Sequence, residues 1–163
     1  MFEKFYPDYC FDSISEIKRD FFDKNEIKFA LLDIDNTLVS YKTEKADKNA
    51  EDFLNMLSEI GMKFAFVSNN GKKRVEKFSE DFGAFSVSRA GKPFIFGIKR
   101  AMRKIGAEAE KTVLIGDQVF TDVYAGKRAG IKTVMVLPIE SKETPFFGIK
   151  RYFEKIVLKN YKK

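Results

Sequence analysis

Asp33 and Asp35 stand two residues apart in Asp33-Ile34-Asp35-Asn36-Thr37, directly after a short apolar run. Ser68-Asn69-Asn70 follows a second apolar run. Ala90-Gly91-Lys92-Pro93 comes next, then Gly116-Asp117 with Asp122 five residues on. Carboxylates gathered in one place repel one another and call for a cation. The chain has no histidine and Cys10 is its one cysteine, so a metal held here has oxygen ligands, and magnesium is the ion such a set suits. An ionised aspartate beside magnesium can attack phosphorus and form an aspartyl-phosphate. A second aspartate across a tight turn can protonate the leaving oxygen and then activate water. Ser68 and free backbone N–H groups can hold phosphoryl oxygens. Lys92 can offset the charge that builds around phosphorus. The chemistry this set suits is phosphoryl transfer by positioning and electrostatics.

The same composition removes other chemistries. Without histidine there is no Ser-His-Asp hydrolase and no His-Glu-x-x-His metalloprotease. One cysteine permits no internal disulfide and no multi-cysteine zinc site. Cys10 has Glu16 where a Cys-x5-Arg phosphatase needs arginine. An EF-hand loop starting at Asp33 would have Leu38 at its glycine position. The Gly-Lys pairs at 71–72, 91–92 and 126–127 lack the earlier glycine of a Walker loop. Singly, each residue also has a plain structural use: Asp117 and Asp122 as helix caps, Ser68 as an N-cap, Lys92 as a solvated lysine. Their shared position in the chain's architecture is what joins them.

That architecture is legible as alternation. Strands are expected at 28–33, 63–67, 85–87, 111–115 and 132–137, and helices at 47–60, 72–82, 93–105 and 120–129. Gly61, Gly83, Gly106 and Gly130 each close a helix before the next strand. Ser13 and Glu16 have capping-box spacing for a helix at 14–22, and Pro93 suits the first turn of the helix it opens. Strand–helix alternation implies an α/β fold, a doubly wound parallel sheet with helices on both faces. Ligands bind such sheets at the carboxyl ends of the strands, where every candidate residue lies. One domain over 1–163 is expected, its core about 28–137, with helical extensions at both ends.

The order of these motifs resembles the haloacid dehalogenase (HAD) superfamily of phosphatases: Asp-x-Asp-x-Thr, a Ser or Thr after the second strand, a Lys, then a paired-acid motif. The match spans Asp33 to Asp122. Residues 32–39 and 116–123 look like the class III version. Ala90-Gly91-Lys92-Pro93 together with Gly126-Lys127-Arg128-Ala129-Gly130 is similar to the YqeG family, which usually has Asn where this chain has Lys127. The resemblance implies a Rossmann-like core with strand order 3-2-1-4-5. It implies Asp33 as nucleophile and magnesium ligand, Asp35 as general acid/base with its carbonyl on the metal, and Asp117 as the third protein ligand. Asp122 would support the metal's water shell or Lys92, which joins Asp33 and Asp35 as a catalytic residue. Ser68 and Asn69 would bind the phosphoryl group, with Thr37 at the substrate and bracing the first loop.

Lengths and charge bear on the substrate. Neither the stretch after Val39 nor the one between Ser68 and Lys92 has room for a cap domain, which needs about 40–50 residues. An open site suits a phosphate on something large. The chain carries 30 basic and 24 acidic residues; residues 142–163 alone have seven basic and two acidic, and the first 26 have seven acidic and four basic. From Ile149, a helix would place Ile149, Tyr152, Phe153, Ile156 and Val157 on one face and Arg151, Lys155 and Lys159 on another. A basic amphipathic helix with aromatics reads as a membrane-surface element, or packs its apolar face on the sheet or on the aromatic N-terminal arm. Members resembling this family act on phosphatidylglycerophosphate in some lineages. The leading expectation is a magnesium-dependent phosphomonoesterase acting on such a phospholipid, cytoplasmic, with peripheral contact at the inner membrane face and no nucleic-acid partner. The alternatives are a small soluble ester closed in by a neighbouring subunit, or a catalytically silent binding module. No run is long enough to span a membrane, and no apolar signal segment follows Met1–Lys4.

Overall fold

A computed structural model describes residues 2–140, 145–159 and 161, without the side chains of Pro145, Phe146, Phe147 and Arg151. Predictions resting on Lys142, Phe146, Phe147, Arg151, Lys162 and Lys163 therefore lie outside the described residues. The strands are β1 Tyr9–Phe11, β2 Phe29–Leu32, β3 Lys63–Val67, β4 Phe85–Val87, β5 Thr112–Gly116 and β6 Lys132–Val136. The helices are α1 Arg19–Lys24, α2 Lys48–Glu59, α3 Lys72–Glu80, α4 Phe96–Ile105, α5 Tyr124–Ala129 and α6 Pro145–Leu158. All pairs are parallel, in the order β1-β6-β5-β2-β3-β4. The five expected strands thus take the order 3-2-1-4-5, and β1 is added at one edge.

The central strand explains why its sequence is a continuous apolar run. Alternate residues of β2 face opposite sides, and both sides are covered. Ala30 and Leu32 join Phe53, Leu57 and Phe78 in one core cluster; Leu31 joins Ile98, Ala101 and Ala125 in the other. Helices α2 and α3 therefore lie on one face, and α4 and α5 on the other. Between β2 and Lys92 the chain holds only loops, α2, β3, α3 and β4, so no further folded unit is inserted there.

Three local expectations change. The single helix at 14–22 is split into a short 3-10 turn, Ile14–Glu16, and α1. Ile14 and Ile17 are both buried in the core, and the chain extends at Ile17 and Lys18 to place them there. The capping box does not form: Glu16 Oε2 accepts from Asp12 N–H at 2.9 Å rather than from Ser13 N–H, and Ser13 Oγ meets Ser15 Oγ. Next, α4 begins at Phe96, so Pro93 lies in the turn before it, after a cis Lys92–Pro93 peptide. Asn69 is the cause, because its carboxamide bonds both backbone groups of Lys92 and ties that residue to the end of β3. Finally, the aromatic N-terminal arm supplies β1, whose approach is fixed by Asp8: its Oδ2 accepts from Thr133 N–H at 2.8 Å and Thr133 Oγ1 at 2.9 Å.

The last helix docks by one edge of its expected apolar face, the edge that carries Val157. Val157 is buried with Val119, Val123 and Met135. Glu154 is buried too, and its Oε1 accepts from Val119 N–H at 3.1 Å. Ile149, Tyr152, Phe153 and Ile156 remain 41–62% exposed, so of the expected apolar face only Val157 packs on the body, in a cluster shared by Met135 of β6 and by Phe2, Phe5 and Tyr6 of the N-terminal arm.

Candidate active site

The carboxyl ends of β2, β3 and β5 meet around a cavity of about 390 Å³, lined among others by Asp33, Asp35, Ser68, Lys92 and Asp122. Asp33 follows β2 directly, and its N–H donates to Ile115 O at 3.0 Å, which anchors it beside β5. Lys92, from the turn tied down by Asn69, donates to Asp33 Oδ1 at 2.7 Å and to Asp122 Oδ1 at 2.6 Å. All three side chains are buried. Thr37 Oγ1 donates to Asp33 Oδ2 at 3.2 Å from a loop in which Asn36 takes a left-handed backbone, φ 62°.

Asp122 gets there by two local devices. After β5 the chain takes one π-helical turn, Val119–Val123, in which Asp122 and Val123 N–H both donate to Gln118 O. Such widened turns concentrate at functional sites. The turn brings Asp122 Oδ2 to Gln118 N–H at 3.1 Å, against the backbone of Gly116.

Asp33, Asp117 and Asp122 each offer one carboxylate oxygen, all within 4.8 Å of one another. Burial pushes Asp33 up from 3.8 to about 8; Asp122 and Asp117 add to the rise and Lys92 opposes it. Burial draws Lys92 down, but Asp122 and Asp33 more than offset this and hold it above its ordinary value. Three buried acids against one buried lysine leave negative charge that a divalent cation would balance. The donor set is all oxygen, which fits a hard metal.

The other expected residues fall as follows. Ser68 is buried in the cavity wall and its Oγ accepts from Asn70 N–H at 3.1 Å. Asn69 lines the cavity with its carboxamide spent on Lys92. Thr37 stands behind Asp33, outside the cavity lining. The Asp35 side chain is apart from the three clustered acids. Arg74 Nε donates to its Oδ1 at 2.7 Å, and Asn70 Nδ2 to its Oδ2 at 3.0 Å. Sequence reasoning missed Arg74, Asn70, Gln118, Thr121 and Lys150. Arg74 is one of many cations on a helix surface, and Lys150 reaches the cavity from α6, a contact that spacing cannot reveal.

A family profile described as HAD-hydrolase-like matches residues 89–143. Over the whole chain the protein is 33% identical to the probable phosphatase YqeG of Bacillus subtilis, covering 95% of that relative. A shorter stretch, 47 residues or 29% of this chain, is 45% identical to the ribonucleotide monophosphatase NagD of Escherichia coli, spanning 19% of that protein. Among solved structures, a HAD-superfamily hydrolase from Ehrlichia chaffeensis matches 81% of this chain and 98% of its own, with a TM-score of 0.57 at 16% identity. The fold and the acid–lysine cluster define a phosphatase of the HAD superfamily. Within it, the chain belongs to the YqeG family.

Proposed function

We propose that the protein is a magnesium-dependent phosphomonoester hydrolase working through an aspartyl-phosphate on Asp33. The observation that carries this reading is the buried Lys92 bridging Asp33 and Asp122 at the floor of an open cavity. Magnesium, held by Asp33, Asp117 and the Asp35 carbonyl, would supply charge neutralisation at the phosphoryl oxygens. Asp33 attacks phosphorus while the bond to the leaving oxygen breaks, and Asp35 delivers a proton to that oxygen. Asp35 then takes a proton from the water that cleaves the Asp33–phosphorus bond, releasing phosphate. To do so, Asp35 exchanges part of its contact with Asn70 or Arg74 for the reacting oxygen. Ser68 and Asn69 border the phosphoryl group, and Lys92 holds Asp33 and Asp122 in register.

The leading substrate is a phosphate carried by a membrane lipid, phosphatidylglycerophosphate in the first instance. Support comes from the open cavity and from α6. That helix places Lys150 in the cavity lining and leaves Ile149, Tyr152, Phe153 and Ile156 exposed beside Lys155 and Lys159. None of the helices among the described residues is long and apolar enough to cross a membrane, so contact would be peripheral. The test is phosphate release, with and without magnesium, from phosphatidylglycerophosphate, sugar phosphates, nucleotides and phosphopeptides. Metal-dependent release fastest from the lipid is expected. Faster release from a soluble ester would overturn the substrate, and no release from any of them the reaction.

A further inference from the structure

A second cavity, of about 450 Å³, adjoins the first. Asn70 lines both, and Arg74 forms part of the second while its guanidinium holds Asp35 in the first. Lys72, Lys73, Lys77 and Arg89 complete its basic wall, with Glu44 as the one acid lining it among the described residues. Lys77 pairs with Glu44, and Lys72 lies 3.7 Å from Glu76. Lys73 and Arg89 have no ion-pair partner among the described residues.

The cluster is not what local stability would select. Lys72, Lys73 and Arg74 occupy the first turn of α3, where the helix dipole disfavours cations, and no acid in that turn offsets them. Arg89 reaches the same wall from a different segment, the turn after β4, with φ 46°. A left-handed backbone at a non-glycine residue persists where its surroundings hold it, and such residues gather at functional sites. Here Arg89 N–H donates to Asn70 O at 2.9 Å, and Ala90 N–H to Ser68 O at 3.0 Å. The turn that carries Arg89 is thereby fastened to the loop that carries Ser68. Cations placed against local preference on two segments thus line a cavity that shares Asn70 with the catalytic one, an arrangement suited to an anion.

We infer that this basic cleft is a second anion subsite, which takes a phosphate group of the same substrate whose phosphomonoester enters the Asp33 cavity. The preferred substrate class is a phosphomonoester with a second phosphate, as diester or monoester, a few bonds from the scissile one. The inference deepens the phosphatase reading and rests on it for the word substrate.

The test is calorimetric binding to Asp33→Asn protein, which needs no turnover. The probes are glycerol 3-phosphate and the water-soluble, deacylated headgroup of phosphatidylglycerophosphate, which carries both a diester and a monoester. The doubly phosphorylated probe is expected to bind about tenfold tighter, as charge-assisted contacts to one added anion allow. Adding Lys73→Gln and Arg89→Gln should shrink that preference to about twofold or less, whereas Lys99→Gln with Arg103→Gln, equal in charge on α4, should leave it intact. Equal affinities for the two probes, or a preference that survives Lys73→Gln and Arg89→Gln, would overturn the proposal. Inorganic phosphate alone separates a free-anion site: two ions bound per chain, with no preference between the probes, also overturns it. The same ratio is read as kcat/KM in the wild-type enzyme with magnesium, and 4-nitrophenyl phosphate turnover is measured alongside. Preference without turnover defeats the phosphatase reading and leaves the anion site standing; turnover without preference does the reverse.

Discussion

A Cβ on Gly116 would stand 2.3 Å from the carboxylate carbon of Asp122. The last residue of β5 therefore has to be glycine if Asp122 is to lie against the sheet backbone and reach both Lys92 and Gln118 N–H. Gly116→Ala should push Asp122 off Lys92. Overpacking of this kind costs about 1–3 kcal/mol, to be read from urea unfolding. Turnover should fall about tenfold or more, as expected when a charge partner in the site is displaced. Stability and activity both unchanged would show that the turn after β5 can shift freely.

Asp33→Asn is nearly isosteric, keeps one oxygen for Lys92 and removes the nucleophile. Phosphate release should drop by about a thousandfold or more, the scale seen when an enzyme loses its attacking group, while cooperative unfolding is retained. Single-turnover experiments with labelled substrate should leave label on wild-type protein after acid quenching and none on the variant. Near-normal turnover in the variant would remove Asp33 from the nucleophile's role.

The metal-free protein should lose stability as pH rises. The Asp33 carboxyl is raised from 3.8 to about 8 in the fold, first by burial and then by Asp122 and Asp117. Between those values the folded chain binds more protons than the unfolded chain, so unfolding free energy falls with increasing pH. A divalent cation binds the ionised cluster and opposes this, raising stability by mass action. Tm without metal should fall from pH 5 to pH 8. Added magnesium should raise it strongly at pH 8 and little at pH 5, and Asp33→Asn should flatten the slope. A metal-free Tm that climbs over this range would contradict the buried-charge account.

The sequence showed what depends on short-range pattern. Apolar runs ending in Asp33, Ser68 and Asp117 marked three strand ends and helix-closing glycines such as Gly106 the punctuation, while the order of the five strands in the sheet came from the family resemblance. Tyr9–Phe11 is too short for a period and became a strand only because Asp8 finds Thr133, 125 residues away. Pro93 satisfied a helix-start rule that Asn69 overrides from 23 residues upstream. The candidate site divides in the same way. Its acids, serine and lysine sit at strand ends and helix starts, but Arg74 and Lys150 reach it from helix surfaces where cations are ordinary.

The face of α6 is the strongest departure from burial rules, and it gives the last prediction. Large apolar residues on an amphipathic helix normally face the core, yet Ile149, Tyr152, Phe153 and Ile156 are 41–62% exposed while Glu154 is buried. Glu154→Ala would leave Val119 N–H without that acceptor, a loss of about 1–3 kcal/mol. It should release the helix from the body and lower Tm, which confirms how α6 is seated. Tyr152→Ser, Phe153→Ser and Ile156→Ser together should lower Tm less than Glu154→Ala does, because these side chains are about half exposed already. If the face meets a bilayer, sedimentation with anionic vesicles should fall sharply in that triple variant. Lys155→Gln with Lys159→Gln should weaken it too, each charge contributing about 1 kcal/mol before screening, and salt should weaken the wild type. Equal binding to neutral and anionic vesicles, or none to either, would remove the membrane from the reading. A salt-insensitive dimer lost in the triple variant would assign the face to a second copy of the chain.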